Sequence, residues 1–293
     1  MIPHTKYSAF SHIKKEDERF PRLLREIPNP PPGLYLRGEL NLNAPTVAVV
    51  GTRRATREGL GLARQFGKEL AEQEIIVVSG LALGIDQAAH WGALDAGGRT
   101  VAVLGTGIDE IYPSQNRRLA EEILKQGGAV ISEYPPGTPS YPANFLQRNR
   151  IISGLSLGVL VVEAPLQSGS LFTAQLALEQ NRDVFVAPGR LRDHNYTGSH
   201  RLIRSGAALV TSVEDICQEL NLPFYKPAEL RLKRIKLDPQ QDLVLKFIKA
   251  AGKPVSIDKI IEATKIESQF VNQVVAFLLI NDIIKEEDGR YNV

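Results

Sequence analysis

A single cysteine, Cys217, excludes an intrachain disulfide and a cysteine-based zinc site. Apolar runs are short: none approaches twenty residues, and the N-terminus has no hydrophobic signal core, so no membrane segment is expected and a cytoplasmic protein is. Charge of one sign is also lacking. The 35 Lys and Arg nearly balance the 33 Asp and Glu, leaving a net +2, so any nucleic-acid site must be a local patch and not a global field. The 293 residues suffice for one large domain and a small one, and 43% hydrophobic with 23% charged residues is ordinary for a globular protein.

What is present centres on Val47-Ala-Val-Val-Gly-Thr-Arg-Arg54. The unbroken, mostly β-branched run reads as a strand buried on both faces. Gly51 follows it, then Thr52 and Arg53, and a helical pattern begins near Thr56 with Leu62, Phe66 and Leu70 four apart. A strand, a glycine turn and a helix N-terminus form an anion site, to which Arg53 adds a planar fork suited to phosphate. One glycine is not the G-x-G-x-x-G of dinucleotide binders, and no G-K-[ST] of a P-loop is present. An ordinary α/β turn with exposed arginines would look the same at this point.

Strand-like runs recur at 47–50, 75–78, 100–104, 129–131, 158–162, 183–186 and 208–210, with helical patterns at 56–72, 86–96, 114–125, 147–153, 170–180 and 199–205 between them. This alternation predicts an α/β fold, a mostly parallel sheet with helices on both faces, whose ligands bind beyond the carboxyl ends of the strands. The strand ends carry turn chemistry: Ser79-Gly80, Gly105-Thr-Gly107, Gln167-Ser168-Gly169-Ser170 and Ala187-Pro-Gly189. Each glycine by itself needs no more than a turn, but several such loops on one edge suit a ligand approached by backbone. No nucleophile is paired with a general base, so no catalytic residue is assigned and the loops are built to hold a ligand, not to cut it.

Phe145-Leu-Gln-Arg-Asn-Arg150 opens a helix on which Phe145 and Arg148 share a face. An aromatic beside Arg148 and Arg150 combines stacking with phosphate contact, the chemistry that holds single strands; the plain alternative is a core Phe145 with solvated arginines. Arg190, Arg192, Arg201 and Arg204 cluster near His194 and His200. Neither histidine has a cysteine or acid at ligand spacing, so no metal or other cofactor is expected.

Residues 1–45, with the stiff Pro28-Asn-Pro-Pro-Pro32 and a short strand at 34–38, read as an extended strap packed on a main domain at 46–220. A linker at 221–237 holds Pro223, Pro227 and the basic run 231–236. Residues 238–293 then give three short helices (239–250, 257–263, 267–281) and a hairpin (283–293) turning at Asp288-Gly289, a winged-helix pattern. No Lys or Arg lies between Lys265 and Lys285, and the wing carries Glu286, Glu287 and Asp288. This small domain therefore reads as a protein-contact module and not a duplex reader.

Gly51-Thr-Arg53, Ser79-Gly-Leu-Ala-Leu-Gly-Ile-Asp86, Arg148-Asn-Arg-Ile-Ile-Ser-Gly-Leu-Ser156, Ser168-Gly-Ser170 and Leu202-Ile-Arg-Ser-Gly-Ala207 together resemble the DNA-processing family DprA/Smf, from about Phe20 to Leu220. The trailing winged helix is similar to a module that many members carry. The resemblance implies an extended Rossmann-like, doubly wound domain that binds single-stranded DNA and forms homodimers. It also implies a role in protecting incoming DNA and placing RecA recombinase on it during natural transformation. Carried onto this chain, the family's Gly-Ser-Arg turn falls on Gly51, Thr52 and Arg53, its pocket on Phe145, Arg148 and Arg150, and its further loops on Gly80 and Ser168–Ser170. Gln147 precedes Arg148, no lysine lies in 140–144, and His200 stands where many members have asparagine. Only some twenty residues precede the match, so the N-terminal helical module of some members is not expected.

Two other functions compete with this one. A phosphoribohydrolase-like nucleotide enzyme would carry P-G-G-x-G-T with a glutamate close behind; here the loop is Gln167-Ser-Gly-Ser170 and the next acid is Glu179. A duplex-DNA regulator would need basic residues on the third C-terminal helix.

Overall fold

The computed structural model describes residues 10–226, 229–230 and 237–292. The chain divides into two units, Met1–Pro223 and Phe224–Val293. Pro227, the basic run 231–236 and the first nine residues of the expected strap lie outside the described residues.

The first unit is built on one nine-stranded sheet. Its strands are β1 (Ser11–Lys14), β2 (Gly33–Gly38), β3 (Thr46–Val50), β4 (Ile76–Ser79), β5 (Thr100–Leu104), β6 (Ala129–Ser132), β7 (Gly158–Val161), β8 (Asp183–Val186) and β9 (Ala208–Leu209). They lie in the order β1-β2-β6-β5-β4-β3-β7-β8-β9. β3 to β9 are all parallel, in register Val47 to Val77 on one side and Val47 to Gly158 on the other. The chain thus runs outward from β3 to β6 and returns to β7 beside β3. The crevice beyond the carboxyl ends of β3 and β7 is the point of reversal where such sheets bind ligands. This is the doubly wound, Rossmann-like α/β architecture that the alternating pattern and the resemblance imply.

Its helices are α1 (Arg22–Arg25), α2 (Arg57–Glu72), α3 (Ile85–Asp95), α4 (Arg117–Lys125), α5 (Pro142–Gly154), α6 (Gly169–Glu179), α7 (Thr197–Arg204) and α8 (Val213–Glu219). Alternate strand residues feed two cores. Ala48, Val50, Val78, Val103, Ile131, Val161 and Val186 pack with Ile151 and Ile152 of α5 and Ala174 and Ala177 of α6. Ala102, Leu104 and Val130 point the other way, onto Leu119, Ala120 and Ile123 of α4. The N-terminal segment adds β1 and β2, β2 antiparallel to β6 and β1 antiparallel to β2, with Leu24 and Leu34 fully buried. It extends the sheet and covers an edge that would otherwise expose unpaired backbone groups.

Helix α5 starts five residues before the apolar pattern does, because Pro142 at its first position is pre-set for helical φ and lacks only an N–H that would go unused. α2 and α3 approach so closely that a Cβ on Gly67 would meet the Ala89 carbonyl and one on Gly92 the Arg64 carbonyl.

In the second unit α9 (Pro239–Ala251), α10 (Ile257–Thr264) and α11 (Ser268–Ile280) enclose a core of Val244, Ile248, Ile260, Val271, Val274 and Leu278. Three antiparallel strands complete it, β10 (Val255–Ser256), β11 (Lys285–Glu287) and β12 (Arg290–Asn292), with β12 central. Asp238 caps α9 in a reciprocal pairing with Gln241. Among the described residues no helix is long and apolar enough to cross a membrane.

The helix contact yields a test. Gly92→Ala forces a methyl into the α2 backbone and should destabilise the protein by about 1–3 kcal/mol, read from chemical denaturation. An unchanged denaturation midpoint would refute the close approach.

Candidate nucleic-acid interface

Buried β3 delivers Gly51 to the crevice, and the space there is tight. A Cβ on Gly51 would lie 2.5 Å from Ile85 Cγ1 and 2.8 Å from the Glu163 carbonyl. The Thr52 N–H donates to that same carbonyl at 2.7 Å, and the Thr52 carbonyl accepts the Ile85 N–H at 3.3 Å. The turn is therefore stitched to the loops that follow β7 and β4. Arg53, next in line, is exposed and has no hydrogen-bond or ion-pair partner among the described residues, while its guanidinium carbon lies 5.6 Å from the centroid of the Phe145 ring.

One feature of the anion site differs from the sequence reading. The N-terminus of α2 is held by an internal anion, the Glu163 carboxylate, which is fully buried. Its oxygens accept the Thr56 N–H at 3.0 Å, the Thr56 hydroxyl at 2.8 Å and the Asn195 side-chain amide. Asn195 Nδ2 also reaches the Arg54 carbonyl at 3.0 Å. The helix end open to the crevice is that of α6, where Ser168 is the N-cap, its hydroxyl accepting the Ser170 N–H at 3.3 Å, and where Gly169 faces open space.

Gly51, Thr52, Arg53, Phe145, Arg148, Ser168, Gly169 and Ser170 line one cavity of about 380 Å³. Arg54, Asp86, Leu146, Asn149 and Gln167 complete its polar and outer walls. Gly80 lies on a smaller adjoining hollow that shares Arg53, Ala82, Phe145 and Arg148 with the first. Phe145 is half-buried, packed 5.3 Å from Tyr112 and so close to Gly105 that a Cβ there would stand 2.7 Å from the ring.

The two arginines of α5 are not a solvated face. Arg148 is 4% exposed; its Nη1 donates to the Gly80 carbonyl at 2.7 Å and to the Val103 carbonyl. Burial pulls its guanidinium down to about 10, with Asp86 opposing that fall, so it remains charged at neutral pH. Asp86 is pushed up by burial and held back by Arg148, and its carboxylate accepts the Gly80 N–H at 3.1 Å. Arg148 thus ties β4 to β5 and supplies positive potential to the cavity floor. Arg150 points elsewhere: it pairs with Glu133, is nearly buried, and lines neither hollow. Two positions on from Arg148, it lies about 200° further round α5 and so turns from the crevice.

Of the second arginine cluster, Arg201 and Arg204 line a separate hollow with His200 and Leu166, while Arg190 pairs with Glu58 at 3.0 Å. Among the described residues no three His, Cys, Asp or Glu converge as a metal set. Glu163, Asn195 and Tyr112 escaped the sequence reading. A glutamate directly after an apolar strand is a signal that could have flagged the first; Asn195 sits in a single 3-10 turn and Tyr112 in a loop, neither with periodicity.

A cavity lined by cations and an aromatic ring thus lies at the reversal of a doubly wound sheet, the architecture of a Rossmann-like protein. The profile of the DNA recombination-mediator protein A family matches residues 11–221, and the chain belongs to that family. It is 44% identical over 220 residues to the DNA processing protein DprA of Streptococcus pneumoniae, covering 71% of this chain and 77% of that one. It is 43% identical over 236 residues to Protein Smf of Escherichia coli, covering 80% of this chain but only 63% of the relative's length. Among solved structures it resembles DprA of S. pneumoniae, with TM-score 0.69 and 43% identity over 75% of this chain and 76% of the other. It also resembles DNA processing protein A of Helicobacter pylori, described for its single-stranded DNA binding mode, with TM-score 0.65 and 32% identity over 72% and 95% of the two chains.

Glu163→Ala leaves the Thr56 N–H and the Asn195 amide without their acceptor and should cost about 1–3 kcal/mol of stability. A denaturation midpoint equal to that of the parent protein would show that the carboxylate does not hold these loops.

Proposed function

We propose that this protein binds single-stranded DNA without cutting it, in the crevice between the ends of β3 and β7. The observation that carries the reading is the Arg53 guanidinium, unpaired among the described residues, over the half-buried Phe145 ring and facing the open N-terminus of α6 across one cavity. A cation and helix N–H groups suit a backbone phosphate, and the ring suits a base of any identity. The single-stranded DNA binding mode named for the H. pylori relative supports the same ligand. The two acids nearest the cavity, Asp86 and Glu163, both have oxygens committed to backbone N–H groups, which favours holding over hydrolysis.

On this reading Gly51, Thr52, Gly80, Ser168, Gly169 and Ser170 contribute backbone and hydroxyl contacts, Arg53 the phosphate anchor, and Phe145 the stacking face. Arg148 contributes charge from below, and Arg150 supports α5 through Glu133. The protein works in the cytoplasm as a homodimer through its Rossmann-like unit, protects incoming DNA and loads RecA recombinase onto it. The C-terminal unit is a winged helix that makes protein contacts: α11 carries no charged side chain, and Phe270 and Ile280 on it are exposed.

Affinity for oligo-dT across a salt series tests the site. Arg53→Ala should weaken binding and flatten the log–log salt dependence by roughly 0.7 per lost phosphate contact. Phe145→Ala should cost about 1–3 kcal/mol with the slope nearly unchanged. If Arg53→Ala matches the parent in affinity and slope, the Gly51 turn is only structural. Separately, a chain ending at Pro223 should keep most of its single-strand affinity; near-complete loss in a folded truncation would place the main contacts in the second unit.

A further inference from the structure

The smaller hollow lies on the far side of Phe145 from the α6 N-terminus. Its outer rim is Tyr112 and Leu83, 42% and 37% exposed, two large side chains left facing solvent at the ligand edge of the sheet. Both sit on braced loops. Asn116 Nδ2 donates to the Leu81 carbonyl at 2.8 Å, and Leu81, wholly buried, is held at a left-handed φ of 58°, a conformation that costs a leucine energy and turns Ala82 and Leu83 outward. The Tyr112 loop is fixed by the Thr106 hydroxyl on the Glu110 carbonyl at 2.7 Å and by the Gly107 N–H on the Thr138 carbonyl at 2.9 Å. Arg53, Ala82, Phe145 and Arg148 line both hollows, so the two adjoin.

We propose that this hollow is a second base slot, in which the nucleotide next to the one stacked on Phe145 lays its base against the Tyr112 ring, with Leu83 closing the other side. The inference rests on the single-strand reading of the larger cavity. Arg53, shared by both hollows, is placed to hold the phosphate that joins the two nucleotides. The walls are an aromatic ring and an alkyl chain, so the slot accepts any base and adds affinity without sequence preference.

The test is oligo-dT affinity for Tyr112→Phe, Tyr112→Leu, Tyr112→Ala and the pair Tyr112→Ala with Phe145→Ala, each with its thermal midpoint. Tyr112→Phe keeps the flat ring and should bind as the parent protein. Tyr112→Leu and Tyr112→Ala should weaken binding about five- to 150-fold with an unchanged salt slope, the loss of one stacked base. Since Tyr112 also touches Phe145, the double variant decides between stacking and support. A further loss of about fivefold or more beyond Phe145→Ala alone supports a separate base. No further loss, or full restoration by leucine, overturns the slot, because Tyr112 would then act only by packing. Parental affinity in both Arg53→Ala and Phe145→Ala sinks the reading of the larger cavity, whereas a weakened Phe145→Ala beside an unaffected Tyr112→Ala sinks the second slot alone.

Discussion

A carboxylate sealed from water with no cation beside it is costly unless donors surround it. Among the described residues Glu163 is such a group, and the crevice depends on how it is satisfied. Its side chain draws in the start of α2 through Thr56 and the 187–197 loop through Asn195, and its own carbonyl holds the Thr52 N–H. Arg53 lies between those attachments, so an exposed, flexible cation is anchored at the backbone on both sides. Because Glu163 satisfies the positive end of α2, that dipole is unavailable to a ligand. On the single-strand reading the external anion is left to α6, across the cavity.

A second internal charge sets the floor. Arg148 gives hydrogen bonds to carbonyls at the ends of β4 and β5, and the neighbouring Asp86 holds the Gly80 N–H. His90 is buried nearby. Its Nδ1 lies 2.7 Å from the Thr100 hydroxyl, which itself donates to the Val77 carbonyl at 2.6 Å, so the histidine must be the donor and Nε2 carries no proton. Burial first, and the Arg148 charge second, pull its pKa down to about 3. Arg148 is thus the cation beneath the cavity, with a neutral imidazole behind it.

Much of this was legible in the chain. A four-residue, mostly β-branched run before Gly51 announces a central parallel strand, and strands alternating with helices put their ends on one edge. That alone brings Gly51, Arg53 and Ser168–Ser170 near one another. The fates of Arg148 and Arg150 were not legible, because helix spacing does not say which carbonyls or acids wait at the far end of a long side chain. Arg148 meets Gly80 and Val103, and Arg150 meets Glu133, all through folding and not through proximity in sequence. The strand at 34–38 could be read, but its antiparallel partner β6 lies more than ninety residues on and no local pattern points to it. Tyr112 gave no signal, since nothing in a loop distinguishes a presented aromatic from a packed one.

The missing side chains at Gly67 and Gly92 have a mechanical consequence. With backbone against backbone, α2 and α3 have almost no freedom to slide or roll past each other. One begins just after the Arg53 turn and the other at Ile85, whose N–H donates to the Thr52 carbonyl, so both start from the same wall of the crevice. That wall is therefore a single stiff bracket, and on the single-strand reading capture at the mouth cannot proceed by a hinge within it. Adjustment falls to the parts outside the bracket, the 105–113 loop and the first turn of α5, and slowed amide exchange on loading should be concentrated there while the paired helices stay as protected as before.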